Sequence, residues 1–136
     1  MRRLLLGVTL GLGVLAGCAP RATRPTPVES RPEPASELLG EGLASYYGPG
    51  LEGRPTASGE KIDLKDFTAA HRKLPFGTCL RVENVENGRS ARVRVNDRGP
   101  FVPGRVLDVS LAAAKQLGMT EKGRARVRLY RCEDPR

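Results

Sequence analysis

From Glu41 onward the sequence breaks into short runs of alternating apolar and polar residues, each closed by Gly, Pro or Asn. Such runs build half-buried strands and leave little room for helices, so the chain from here on is a mostly-β domain. Six runs read as strands: Leu43–Tyr47, Phe67–His71, Cys79–Val85, Arg89–Asn96, Arg105–Val109 and Arg124–Cys132. Glu86-Asn87-Gly88 supplies the Asn-Gly turn of a hairpin, so 79–85 and 89–96 pair antiparallel. One short helix follows the fifth strand, with Ser110 as N-cap, helix formers from Leu111 to Leu117, and Gly118 at the C′ position. Between the first and second strands, Leu51–Asp63 is a loop without structure of its own, carrying Gly53, Pro55, Gly59 and Glu60; loops of that length are often functional.

Period two also assigns faces. Ala91, Val93 and Val95 share the inner face of their strand, and Arg92, Arg94 and Asn96 the outer. By the same count Asp97 falls on the buried side, an unusual place for a carboxylate. One reading is an Asx turn that closes the strand before Gly99-Pro100. The other is an acid at the mouth of a barrel, where partial loss of water favours the neutral form and lets it deliver a proton. In the last strand Ala125, Val127 and Leu129 face in, while Arg124, Arg126, Arg128, Tyr130 and Cys132 face out.

The amino-terminal residues are of another kind. Arg2-Arg3, the apolar run Leu4–Leu15 and the ending Leu15-Ala16-Gly17-Cys18 make a secretory signal over residues 1–17, and the apolar run is too short to span a bilayer. The Leu-Ala-Gly-Cys ending resembles a bacterial lipobox, which implies cleavage before Cys18 and its lipidation. Ala19 is not the Asp that favours inner-membrane retention, so the expected site is the outer membrane, facing the periplasm. Residues 18–39 hold five prolines among Arg, Thr, Ser and Glu, with few apolar side chains to bury; they are a tether. The barrel domain is expected over 40–132 and a tail over 133–136. With Cys18 lipidated, Cys79 and Cys132 remain, an even number in an oxidising compartment and both in outward phase, so a disulfide between them is expected.

The formal charge is +8; Arg2 and Arg3 supply two of these charges, residues 18–39 balance out, and the remaining six lie in residues 40–136. Such a surface suits a polyanion. For an exported, lipid-anchored chain that partner is anionic cell-wall polymer, and nucleic acid is excluded.

Gly42-Leu-Ala-Ser-Tyr-Tyr-Gly48, Gly53-Arg-Pro-Thr-Ala-Ser-Gly-Glu60, Thr68-Ala-Ala-His-Arg-Lys-Leu-Pro-Phe-Gly-Thr78, Val93-Arg-Val-Asn-Asp-Arg-Gly-Pro-Phe101 and Arg105-Val-Leu-Asp-Val-Ser110 resemble, in this order, the motifs of the rare lipoprotein A family. The resemblance covers about residues 41–131. It implies a six-stranded double-psi β-barrel with one or two short helices, a fold shared with barwin, expansins and some lytic transglycosylases. It also implies non-hydrolytic cleavage of peptidoglycan glycan strands, with a preference for strands stripped of stem peptides, and functional coupling to amidases. Position by position, it places Glu60, His71 and Asp97 in catalysis, Asp97 as acid and then base, with Glu60 and His71 positioning sugar or stabilising charge. Tyr46, Tyr47, Thr56, Asn96 and Arg98 would bind substrate. No metal or cofactor is implied. Asp108 is expected to be a structural partner of the helix start at Ser110.

The chain departs from the family pattern in three ways. Tyr46-Tyr47 stands where a Trp-Tyr pair is the rule, Cys79 and Cys132 are additional, and the carboxy-terminal peptidoglycan-binding repeat that many relatives carry is expected to be lacking. Two other functions fit parts of the sequence. A non-catalytic module that binds glycan or loosens wall contacts would keep the same barrel and groove. A structural lipoprotein joining membrane to wall would use the tether and basic surface but leave Glu60, His71 and Asp97 without a task.

Overall fold

The computed structural model describes residues 36–132, together with residues 7, 10–14 and 17. Cys18, the tether as far as residue 35, the tail at 133–136 and most of the signal segment lie outside the described residues. The chain divides into two units, Met1–Arg31 and Pro32–Arg136, and the described residues of the first carry no regular secondary structure. Among the described residues no helix is long and apolar enough to cross a membrane.

The second unit is a closed barrel of six strands: β1 (Leu38–Tyr46), β2 (Thr68–Ala70), β3 (Cys79–Asn84), β4 (Ser90–Asp97), β5 (Arg105–Val109) and β6 (Arg124–Arg131), in the order β1-β5-β2-β4-β3-β6. Two pairings are parallel, β1 with β5 and β2 with β4; the others are antiparallel. Alternation fills the interior. Leu80, Val82, Val93, Val95, Leu107 and Leu129 are sealed from solvent, each fully buried apolar side chain contributing about 1.5–3 kcal/mol before chain entropy is set against it. The helix α1 (Leu111–Gln116) closes one end, its Ala113 and Ala114 packed into the core. Ser110 Oγ caps it by accepting from the Ala113 N–H at 3.3 Å.

Three expectations need correction. The barrel begins at Leu38, ahead of the strand expected from Leu43: residues 38–43 pair with β6, and Glu37 C=O accepts from Arg131 N–H. The β3–β4 pair is antiparallel as expected, but its connection runs over residues 85–89, longer than the expected turn at 86–88. Asn84 organises it, accepting from Glu86 N–H through Oδ1 and donating through Nδ2 to Leu117 C=O, so the hairpin is tied to the end of α1. Asp108 does not support the helix start; it bonds the Ser45 hydroxyl and the Arg105 guanidinium, across the parallel β1–β5 pair and within β5.

Cys79 and Cys132 are joined by a disulfide, with Cα atoms 5.3 Å apart and a separation of 53 positions in sequence. Closing so long a loop contributes about 4 kcal/mol on the chain-entropy account.

Each parallel pairing carries a bulge. Opposite Leu43 and Ala44, β5 supplies Arg105 and Leu107 and skips Val106; opposite Ala69 and Ala70, β4 supplies Val95 and Asp97 and skips Asn96. The first bulge sets a steric condition on β1: a Cβ at Gly42 would lie 2.6 Å from Val106 Cγ1 and 3.2 Å from Gly104 O. Gly42→Ala is therefore expected to destabilise the barrel by about 1–3 kcal/mol, the usual range for overpacking. Thermal denaturation monitored by circular dichroism checks this, and Gly48→Ala, where a Cβ meets nothing within 4 Å, is the matched control.

Candidate active site

The second bulge builds the site. Skipping Asn96 lets two consecutive residues of β4 be used differently: Asn96 is buried and Asp97 only partly so, the reverse of what uninterrupted alternation predicts. Unpaired in that ladder, Asn96 turns its backbone carbonyl to the loop, where it accepts from Ser58 N–H at 3.2 Å. Its Nδ2 donates to Glu60 Oε2 at 2.9 Å, and its Oδ1 is buried with no partner among the described residues.

The loop it holds has structure of its own, contrary to expectation. Residues 53–62 form a small hairpin, with Gly53 N–H on Ile62 C=O, Ile62 N–H on Arg54 C=O, and Thr56 N–H on Glu60 C=O. Thr56 is buried in it, its hydroxyl donating to the Glu60 carbonyl at 2.9 Å, so it shapes the loop rather than facing a substrate. Ile62 anchors the hairpin in a small apolar cluster with Tyr47 and Ala70.

The result is that Ala57 N–H points at Asp97. Asp97 Oδ1 accepts from Ala57 N–H at 2.9 Å and from Arg98 N–H at 2.8 Å, while among the described residues Oδ2 accepts only from the Tyr47 hydroxyl, at 3.2 Å. Tyr47 is buried, and burial together with the charge of Asp97 pushes its phenol far above the ordinary range, so it stays a donor. The charge of Asp108, a carboxylate held by Ser45 and Arg105, raises it further. Gly99, at φ +116°, makes the turn after Arg98 that a side chain would strain.

Glu60 sits beside this group as an anion. Arg94 Nη1 donates to both carboxylate oxygens, at 2.8 and 2.9 Å, and these bonds, followed by that from Asn96, hold its pKa below the usual value. Both partners are exposed, so the pair orders the site more than it stabilises the fold.

His71 adjoins Asp97 through the β2–β4 pairing, its backbone N–H donating to the Asp97 carbonyl at 3.1 Å. Its Nδ1 accepts from Lys73 N–H and Leu74 N–H, both at 3.1 Å, which leaves the other ring nitrogen to carry the proton. Burial, and then the charges of Arg98 and Arg72, lower its pKa, so the ring is neutral at neutral pH.

Asp97, Glu60, His71, Asn96, Arg98 and Tyr47 are thus brought together. Tyr46 is not: neighbouring strand residues face opposite ways, and its hydroxyl donates to Thr120 C=O while its ring packs on the main core. Arg72, Arg94, Ser45, Arg105 and Asp108 belong to the surroundings of the site, though strand alternation marks Arg94 only as part of a solvated face. Among the described residues there is no cluster of His, Cys, Asp and Glu able to hold a metal.

The lytic transglycolase family matches residues 40–129, most of the chain and all of this site. The chain belongs to that family. Over 91 residues it is 57% identical to the probable endolytic peptidoglycan transglycosylase RlpA of Nostoc sp., covering 65% of this chain and 24% of that one. It is 54% identical over 88 residues to the endolytic peptidoglycan transglycosylase RlpA of Pseudomonas aeruginosa, covering 65% and 26%. The chain spans between about a quarter and two fifths of the curated relatives it matches. Among solved structures, a Streptomyces papain inhibitor aligns with TM-score 0.54 and 25% identity over 66% of this chain and 90% of that one. The apo form of a Clavibacter michiganensis expansin aligns with TM-score 0.55 and 24% identity, over 71% and 51%. The family members share the double-psi β-barrel seen here, and the likeness to expansin is one of fold.

The lowered His71 pKa has a defined sign. The folded state binds this proton less readily than the unfolded chain, so His71 contributes stability that is complete above its ordinary value of 6.5 and is lost as pH falls through the folded value. His71→Asn keeps an acceptor for the Lys73 and Leu74 N–H groups but does not titrate. The melting temperature of the wild type should therefore fall more between pH 7 and pH 5 than that of His71→Asn, with the two close at pH 7. Parallel decline of both curves would show that the imidazole contributes nothing to the pH dependence.

Proposed function

We propose that the chain is an endolytic peptidoglycan lytic transglycosylase, cleaving glycan strands between N-acetylmuramic acid and N-acetylglucosamine in wall remodelling or cell separation. The observation that carries this reading is the unequal hydrogen bonding of one carboxyl group: among the described residues, Asp97 Oδ1 is occupied by two backbone N–H groups, whereas Oδ2 meets only the Tyr47 hydroxyl.

Oδ2 is therefore the oxygen with room for a proton. In the acid step it gives that proton to the glycosidic oxygen as the bond from C1 of the muramic residue breaks. In the second step the bared Oδ2 takes the proton of the muramic C6 hydroxyl, whose oxygen bonds C1 and leaves a 1,6-anhydro end. No water is consumed, so one carboxyl group serves both steps, unlike the paired carboxylates of glycoside hydrolases. The buried phenol of Tyr47 donates to Oδ2 whenever it is bare. Glu60, held charged by Arg94, faces the positive charge that develops on the ring, and neutral His71 offers an N–H to sugar oxygens. The preferred substrate is a strand lacking stem peptides, so an amidase acts beforehand. Cys18 carries the lipid that anchors the domain at the outer membrane, facing the periplasm, with residues 19–36 as the tether. The family match and the curated relatives' names support the reaction class.

Asp97→Asn retains an oxygen for the Ala57 and Arg98 N–H groups and replaces only Oδ2 with an amide. It is expected to leave the melting temperature and glycan binding near wild type while anhydro-product formation falls about a hundred- to ten-thousand-fold, the usual worth of general acid–base catalysis. Mass spectrometry of peptide-free glycan digests checks this. A loss of only two- or three-fold would favour a wall-binding or expansin-like module.

A further inference from the structure

Two arginines flank His71, and neither is paired with a carboxylate among the described residues. Arg72 donates through Nε to Pro100 C=O at 2.6 Å and through Nη2 to the carbonyls of Val102 and Arg105 at 2.9 and 2.7 Å. Arg98 donates through Nη1 to the carbonyls of His71 and Leu74, at 3.3 and 2.8 Å. Carbonyls fix these guanidinium groups in place but leave the charge uncompensated. Arg81, Arg94, Arg105, Arg126, Arg128 and Arg131 each have an acidic partner, whereas Arg54, Arg89, Arg92 and Arg124, like Arg72 and Arg98, have none among the described residues. Both uncompensated charges are felt at His71, beside the reacting carboxyl group.

Arg98 is also presented in a particular way. Its guanidinium carbon lies 4.0 Å from the centre of the Phe76 ring, and that ring is 43% exposed. Stacking on an aromatic face fixes the guanidinium plane and leaves its edge available. Only Nη1 has protein partners among the described residues, so Nε and Nη2 remain for a ligand. Phe101, 77% exposed, lies just beyond Gly99 on the segment that Arg72 holds.

We propose that Arg98, backed by Phe76 and by the charge of Arg72, is a carboxylate subsite that reads the free lactyl carboxylate of a muramic residue. The proposal rests on the reading that peptidoglycan glycan is the substrate, and it names the group by which a peptide-free strand is told from a substituted one. When the stem peptide is present, the lactyl carboxyl is an amide: it has no charge and only one acceptor oxygen. When the peptide has been removed by hydrolysis of that amide, two equivalent anionic oxygens face two N–H donors of a charged, pre-oriented guanidinium, the geometry in which arginine binds most strongly.

The test measures binding, in the Asp97→Asn background so that the strands are not consumed. Peptide-free glycan is compared with the same glycan whose lactyl carboxyls have been converted to methylamides. With Arg98 unchanged, the carboxylate form should bind about tenfold tighter, a charge-assisted bond pair lost without steric change, and the gap should narrow as salt rises. Arg98→Gln should bring the carboxylate form down to the level of the methylamide, and Arg98→Lys should keep part of the preference. Equal binding of the two forms with Arg98 unchanged would overturn the proposal while leaving the glycan reading intact, as would a preference that survives Arg98→Gln. Binding of neither form would overturn both. Because the comparison on unchanged Arg98 needs no Arg98 variant, the proposal is tested even where Arg98→Gln does not fold.

Discussion

The site depends on one missed rung in a β-ladder. Had β4 paired with β2 without interruption, Asn96 would face solvent and Asp97 the apolar interior. The bulge turns Asn96 inward under the 53–62 hairpin and brings Asp97 to the rim. The released carbonyl and amide of Asn96 then bind Ser58 and Glu60, which fixes the hairpin and aims the Ala57 N–H at Asp97. A local irregularity in hydrogen bonding thus sets the position of the carboxyl group, of its backbone donor and of the neighbouring anion at once. Bulges beside active sites commonly re-aim a side chain in this way.

Charge around that carboxyl group is divided. Glu60 and Asp108 each have an arginine of their own, so the acidic side of the site is balanced within the protein. Arg72 and Arg98, on the side of His71, are bound among the described residues to carbonyls only. A substrate carrying a negative charge and developing a positive one during reaction would find a complement to each. The neutral state of His71 belongs to the same arrangement, since two nearby cations and burial disfavour a third positive charge.

Much of the barrel was legible because period two is a direct imprint of strand burial. Leu80, Val82, Val93, Val95, Val127 and Leu129 are buried where alternation places them, and the helix at 111–116 follows from Ser110, its alanines and Gly118. The bulge at Asn96 was not legible, because alternation carries no mark of a skipped residue, and so the faces of Asn96 and Asp97 came out inverted. The start of β1 was hidden by Gly40 and Gly42, poor strand residues by propensity; Gly42 is required by the approach of Val106. Family motifs gave Glu60, His71 and Asp97 as a set, but not the reason they meet. Tyr46 and Tyr47 looked equivalent in sequence, and only strand phase separates the one that packs on the core from the one that touches Asp97.

The central claim is that Asp97 moves a proton between two sugar oxygens and that no water enters the reaction. Digesting peptide-free glycan with the purified chain in water enriched in oxygen-18, and weighing the new ends, tests that claim most directly. The account predicts anhydro-muramic ends at the mass of the strand less nothing but the broken bond, with no heavy oxygen incorporated. Reducing ends carrying oxygen-18 would show a hydrolase and contradict it.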